Sequence, residues 1–250
     1  MPVDVEKRDA SIPPMPIGTS LLFLAIPTLA LYLSIRYVLP IFIGTTGVVP
    51  KVAWFVVQAC AVFVPQVVAA IAFARHEIKS AGIPELFARL HLRQLSRRDW
   101  LWTILAFLFV ILSCGIHWYS LWWSTGGEGT TERALLPSFL PMDASGHVPL
   151  WILLPWVPYF VISVFGEELF WRGYILPRQE ATFGGWAWFV NGSFWAVFHL
   201  PYGWNLWLVW IPLMYIVPFV VQRRQNVWIG IILHAIVNGG GFLSLLLSSS

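Results

Sequence analysis

Twelve residues of the chain are acidic. Two of them, Glu167 and Glu168, interrupt an apolar run, with Val161–Ile162–Ser163–Val164–Phe165–Gly166 before them and Leu169–Phe170–Trp171 after. The other ten fall in segments that read as loops or tails. An ionisable group at membrane depth costs roughly 2.5–3.5 kcal/mol even on a lenient insertion scale, and such groups mark function by default. Two adjacent carboxylates cost more, because like charges disfavour joint ionisation. Glu168 and Arg172 are four residues apart and can pair on one helix face. Glu167 is rotated by about 100° and escapes that pair. The spacing predicts a structural Glu168–Arg172 ion pair beside a carboxylate, Glu167, that is free to act as a base. Taken alone, the motif fits a buried salt-bridge cluster without chemistry equally well.

Further polar residues lie in other apolar runs. His199 closes Phe194–Trp195–Ala196–Val197–Phe198–His199, and His234 and Asn238 sit four apart in Leu233–His234–Ala235–Ile236–Val237–Asn238. A lone His on an apolar helix is usually a hydrogen-bonded packing residue. Two His, an Asn and a Glu pair satisfy one another only if they converge. Counted from the turns that follow or precede them, Glu167 lies about 21 Å deep and His199 about 26 Å at 1.5 Å per helical residue. On the same count His234 and Asn238 lie about 15 and 21 Å from the same side. The depths agree with one site inside the membrane.

A carboxylate and a His can together activate water, and a second His and an Asn can donate to a developing oxyanion. That set suits peptide hydrolysis in a shielded, water-filled cavity. The same side chains suit zinc as well, with Glu167, His199 and His234 as ligands. No HExxH helix is present, which excludes the usual zincin arrangement. No aspartate lies in the apolar runs, which argues against a two-aspartate protease. Ser163 and Ser193 lack a nucleophile's context.

The elements that must position these residues follow from composition. Of 250 residues, 58% are hydrophobic and 11% charged, with mean hydropathy +0.72; a soluble domain carries about 25% charged residues. The bilayer is the natural solvent for such a chain. The 16 Trp residues read mostly as interfacial anchors. The net charge of +3 and pI of 9.0 come from basic residues in loops, so they point to topology and not to nucleic acid. Cys60 and Cys114 read as buried free thiols. The apolar run beginning at Ile17 is too long for a signal-peptide core and reads as a first span.

The expected fold is all-α, a polytopic transmembrane bundle of about seven spans, roughly 17–43, 52–74, 100–123, 149–178, 184–200, 204–221 and 227–248. Pro27, Pro40, Pro65, Pro155, Pro158, Pro212 and Pro218 fall within spans as tolerated kinks. Gly239, Gly240 and Gly241 allow close backbone approach, read chiefly as helix packing. Segment 84–95, with Leu86, Phe87, Leu90 and Leu95 around Arg89 and Arg93, reads as one basic interfacial helix. Basic residues in 75–99 and 222–226, with Lys7, Arg8 and Arg178, fall on one side. The positive-inside rule makes that side, and the N-terminus, cytoplasmic. The chain divides into residues 1–148, three spans with a basic loop 75–99 and a polar loop 124–148, and residues 149–248, which carry the candidate catalytic core.

Glu167–Glu168–x–x–x–Arg172, a motif ending in His199, and His234–x–x–x–Asn238 resemble the three signatures of the CPBP family. Its members are membrane-embedded CAAX-type endopeptidases and bacteriocin-processing or immunity proteins. The resemblance covers roughly residues 150–240. It departs at Trp195, where the family usually has Phe four residues before the His. The resemblance implies Glu167 as general base with His199 as its partner on water, His234 and Asn238 as oxyanion donors, and Glu168 and Arg172 as support. It leaves open a metal-free glutamate mechanism, which the spacing favours, and a metal-dependent one. It also implies a peptide or protein substrate, lipid-modified in some members, and, for a prokaryotic chain, a place in the plasma membrane. Two other readings stand beside the endopeptidase. One is a non-catalytic scaffold or immunity protein of the same fold. The other is an ion- or proton-coupled transporter, although the duplicated halves usual there are not seen.

Overall fold

The computed structural model describes residues 12–78, 82–124 and 149–248. They are almost entirely helical, and no β-strand occurs among them. The helices are α1 (Ile17–Thr46), α2 (Pro50–Glu77), α3 (Ile83–Arg89), α4 (Arg97–Ser124), α5 (Leu153–Glu167), α6 (Leu176–Phe183), α7 (Ala187–His199), α8 (Trp204–Arg224) and α9 (Val227–Ser248). Four helical stretches are long and apolar enough to cross a membrane: Ile17–Thr46, Pro50–Glu77, Arg97–His117 and Leu150–Tyr202. The last, 53 residues long, is a hairpin. It runs through α5 and α6, turns at Gly184, whose φ is positive (54°), and returns as α7. Asn191 Nδ2 closes the hairpin by donating to Trp171 O (3.0 Å) and Gln179 Oε1 (2.9 Å). The protein is thus an integral membrane protein built as an all-α bundle.

Three π-helical segments interrupt this regularity: Ser34–Val38 in α1, Ala59–Phe63 in α2, and Glu168–Ile175 between α5 and α6. Each ends two residues before a proline, namely Pro40, Pro65 and Pro177. Proline cannot donate to the carbonyl four residues back, and its ring collides with that carbonyl. The carbonyls concerned belong to Arg36, Ala61 and Gly173, each inside a π segment. A widened turn at these points accommodates the ring without breaking the helix.

Two glycines let helices approach at the centre. A Cβ on Gly166 would lie 2.7 Å from Phe63 O, so α5 meets the backbone of α2 just before Glu167. A Cβ on Gly192 would lie 2.8 Å from Met214 O, which sets α7 on α8.

The expected interfacial helix is shorter than the sequence pattern. It stops at Arg89, and His91 adopts a left-handed conformation (φ 55°) that turns the chain. Leu86 and Leu90 are buried in the main core, so packing ends the helix where amphipathicity would have continued it. The expected burial of both thiols also fails: Cys60 is exposed on the outer face of α2, while Cys114 is half-buried and donates to Val209 O (3.3 Å). The expected polar loop 124–148 lies, apart from Ser124, outside the described residues. Among the tryptophans, Trp100, Trp123, Trp151, Trp186 and Trp204 are exposed at or near helix ends, as interfacial anchors require. Trp171 and Trp195 are buried in the core.

Candidate active site

The α5–α7 hairpin carries Glu167 and His199 to the same level. Glu167 is 3% exposed, and its Oε2 lies 3.6 Å from His199 Nε2. His199 Nδ1 is 2.8 Å from Trp195 O. A carbonyl only accepts, so Nδ1 carries the proton. In the neutral ring Nε2 then presents a lone pair toward Glu167. A carboxylate oxygen and an imidazole lone pair 3.6 Å apart are too far for a direct hydrogen bond. Both are acceptors, so the Glu167 carboxylate, through its other oxygen, and His199 Nε2 are suited to taking the two protons of one water.

Glu167 and His199 line a cavity of about 140 Å³. Its polar edge also includes Ser163, Tyr159, Tyr202 and Asn238, and the rest of its wall is mainly aromatic. One water needs about 10–15 Å³ of such space, so the cavity has room for water. α2 contributes Trp54, Phe55 and Phe63 to the wall, so the N-terminal helices close the cavity that the C-terminal helices equip. Gly241 lines it as well, while Gly239 packs on the Phe160 ring.

Behind the cavity wall is a second, fully buried cluster. Glu168 is fully buried. Its Oε1 accepts from His234 Nδ1 (2.9 Å) and pairs with Arg172 Nη1 at 3.4 Å. A Cβ on Gly230 would collide with Glu168 Oε2, so that glycine in α9 leaves room for the carboxylate. The Arg172 guanidinium stacks over the Trp195 ring, 3.6 Å from its centroid. Trp195 Nε1 in turn donates a hydrogen bond to Glu167 Oε2. The two carboxylates are thus divided as the spacing suggests, one in an ion pair and one at the cavity. His234 is placed with Glu168 and is not part of the cavity wall. With Nδ1–H given to a carboxylate, Nε2 of a neutral His234 is an acceptor, so it can donate to an oxyanion only when protonated. Asn238, one turn on, does reach the cavity.

Glu167, His199 and His234 do not form a metal-binding trio. Among the described residues no group of three His, Cys, Asp or Glu is placed to hold an ion. Sequence reasoning placed Glu167, Glu168, Arg172, His199, His234 and Asn238 in one region, and they are together. It named Trp195 as a supporting residue, at the position where the family usually has Phe, and did not single out Tyr159 or Tyr202. The signal for Tyr202 was its place one turn beyond His199, in His199–Leu200–Pro201–Tyr202.

Fold and site together define a helical membrane protein that holds an acid–histidine pair inside its apolar bundle. Residues 149–240 match the family model described as type II CAAX prenyl endopeptidase Rce1-like. That match, over 149–240, supports membership of the CPBP/CAAX family of membrane endopeptidases, and the matched stretch contains every polar residue of the two clusters. No curated protein and no solved structure gave a match.

Proposed function

We propose that the chain is an intramembrane endopeptidase, CAAX-protease-like, that cleaves a peptide bond at or within the membrane with water activated by Glu167 and His199. The observation that carries this reading is the Glu167–His199 pair, 3.6 Å apart, on the wall of a cavity inside the bundle. Water donates one proton to Glu167, and its second hydrogen is held by His199 Nε2. The water oxygen attacks the scissile carbonyl carbon. The carbonyl oxygen becomes an oxyanion, to which the Asn238 amide donates. Collapse breaks the C–N bond, and the proton on Glu167 passes to the departing amine. The second water proton leaves the new acid through His199 Nε2, so the products are a new carboxylate and a new ammonium group. Glu168, Arg172 and His234 hold the helices that carry this pair. No step requires a metal ion. The substrate is a peptide or protein segment, and the aromatic wall suits an apolar or lipid-modified residue beside the cleaved bond.

The test is a comparison of protein termini by mass spectrometry, in membranes from cells expressing the wild type or Glu167→Gln at matched levels. Termini that appear only with the wild type are the expected result, and they name the substrate. Identical termini in the two membranes would leave the chain a non-catalytic member of its family.

A further inference from the structure

Trp195 sits where the two clusters meet. It is 1% exposed. One face of its ring carries the Arg172 guanidinium at 3.6 Å. His199 meets it edge-on, with centroids 5.2 Å apart and planes at 87°. His234 lies against it at 5.3 Å and 71°. The ring is therefore held on several sides, and its N–H has one fixed direction. That direction ends on Glu167 Oε2. An indole N–H is a donor only, so the contact favours the carboxylate as acceptor.

Filling space does not account for this. Another indole buried in the core, Trp171, leaves its Nε1 without a partner. A buried Trp in this bundle is thus not automatically given an acceptor. Glu167 Oε2 also faces His199 Nε2, but at 3.6 Å, beyond a direct hydrogen bond. Trp195 is the hydrogen-bond donor to Glu167 among the described residues. Oε1 of the same carboxylate accepts no hydrogen bond there, and it belongs to a residue that lines the cavity.

We infer that Trp195 is a positioning residue: its N–H pins Oε2 of Glu167 and turns Oε1 toward the water in the cavity. This rests on the endopeptidase reading for its catalytic meaning, though the contact itself does not. Arg172 takes part from the far side. A cation stacked on an indole draws electron density from the ring and makes its N–H a stronger donor. The buried ion-pair cluster thereby acts on the base through one side chain. A base held in one orientation spares the reaction the cost of ordering it in each turnover.

Two experiments test this. The first needs no substrate. The protein is labelled with indole-¹⁵N tryptophan in detergent micelles, and the Trp195 N–H resonance is assigned by its loss in Trp195→Phe. A resonance well downfield of the other indoles, moving upfield in Glu167→Gln, is expected. A position indifferent to Glu167→Gln overturns the inference. The second uses the substrate found by terminus mapping, with Trp195→Phe and with benzothienylalanine at position 195, which keeps the indole's shape and lacks its N–H. A hydrogen bond to a charged group corresponds to a fall in kcat of roughly ten- to a hundred-fold. That fall is expected in both variants, with KM unchanged. Full kcat in the benzothienylalanine protein would show that Trp195 only packs. If wild-type and Glu167→Gln membranes carry the same termini, the endopeptidase reading falls, and the resonance still decides whether the indole holds the carboxylate.

Discussion

At the scale of single residues, the most exacting feature is Arg172, which is completely buried and whose Nε, Nη1 and Nη2 have no hydrogen-bond partner. The Glu168 ion pair at 3.4 Å and the Trp195 ring at 3.6 Å are what offset its desolvation. Removing one member of a buried pair costs about 3–5 kcal/mol, because the other charge is left uncompensated. Glu168→Gln should therefore lower stability by an amount in that range, read by unfolding in detergent. Adding Arg172→Met should return most of it, since the orphaned charge is gone. A Glu168→Gln protein as stable as the wild type would show that the pair does not hold the site. Loss of the Asn238 donor is a different kind of change: Asn238→Ala should lower kcat by about 10²–10³-fold while leaving the unfolding midpoint near the wild type, because Asn238 is only partly buried. A normal kcat would remove Asn238 from the oxyanion site. The Glu168–Arg172 pairing was legible from its spacing, because helical geometry fixes which side chains share a face. The attachment of His234 to Glu168 was not. Depth along a helix follows from its rise per residue, but which of two adjacent carboxylates a His on another helix reaches depends on how the helices are rotated. The indole hydrogen bond was hidden for the same reason, since it needs a particular side-chain orientation that packing alone selects.

At the scale of elements, the site is built where helices depart from regular geometry. Glu168 and Arg172 lie within the π-helical segment Glu168–Ile175, and Glu167 ends the regular helix before it. π-Helical turns inside α-helices are frequent at functional sites. Here the segment ends just before Pro177, so one proline's requirement shapes the turn that carries the acidic pair. The helices themselves were readable from apolar run lengths, and their ends fell within a few residues of expectation. The π segments were not, because proline in a membrane helix was read as a kink, and a widened turn relieves the same clash without one. The short interfacial helix shows the converse, where amphipathic spacing continued past Arg89 and the backbone did not. Close approach at Gly166 is a checkable part of this assembly. A Cβ there would lie 2.7 Å from a backbone carbonyl of α2, which cannot move without shifting the helix. Gly166→Ala should destabilise by roughly 1–3 kcal/mol, measured by thermal unfolding in micelles. Gly240→Ala, with nothing within 4 Å of the added atom, should be neutral or stabilising by up to about 1 kcal/mol, the helix-propensity difference between the two residues. Equal effects at the two positions would mean that α2 and α5 are not in register at this contact.

At the scale of the whole molecule, charge is gathered at one end of the bundle. Glu77, at the end of α2, accepts from Arg89 of α3 and from Arg178 of α6. Asp99, at the start of α4, accepts from Arg224 at the end of α8 (2.8 Å), and Arg93 lies 3.6 Å from it. The start of α1 joins this end through Met15 N donating to Arg178 O (3.1 Å). The sequence separations are large, yet the basic segments assigned to one side are on one side. Alternating helices require this, because each return to that end costs one pair of crossings. The start of α9 lies at this end too, through Val227 N donating to His91 O (3.1 Å), so the far end of α9 is at the opposite one. Basic loops are retained on the cytoplasmic side, which gives the orientation its test. In a background of Cys60→Ser and Cys114→Ser, single cysteines are placed at Trp186, exposed in the α6–α7 turn of the basic end, and at Val49, exposed in the α1–α2 turn of the other. A membrane-impermeant maleimide added to intact cells should label Val49→Cys, and should label Trp186→Cys only after permeabilisation. The reverse pattern would invert the protein, placing the basic end outside against the charge rule. Labelling of both in intact cells would deny that these helices separate two compartments.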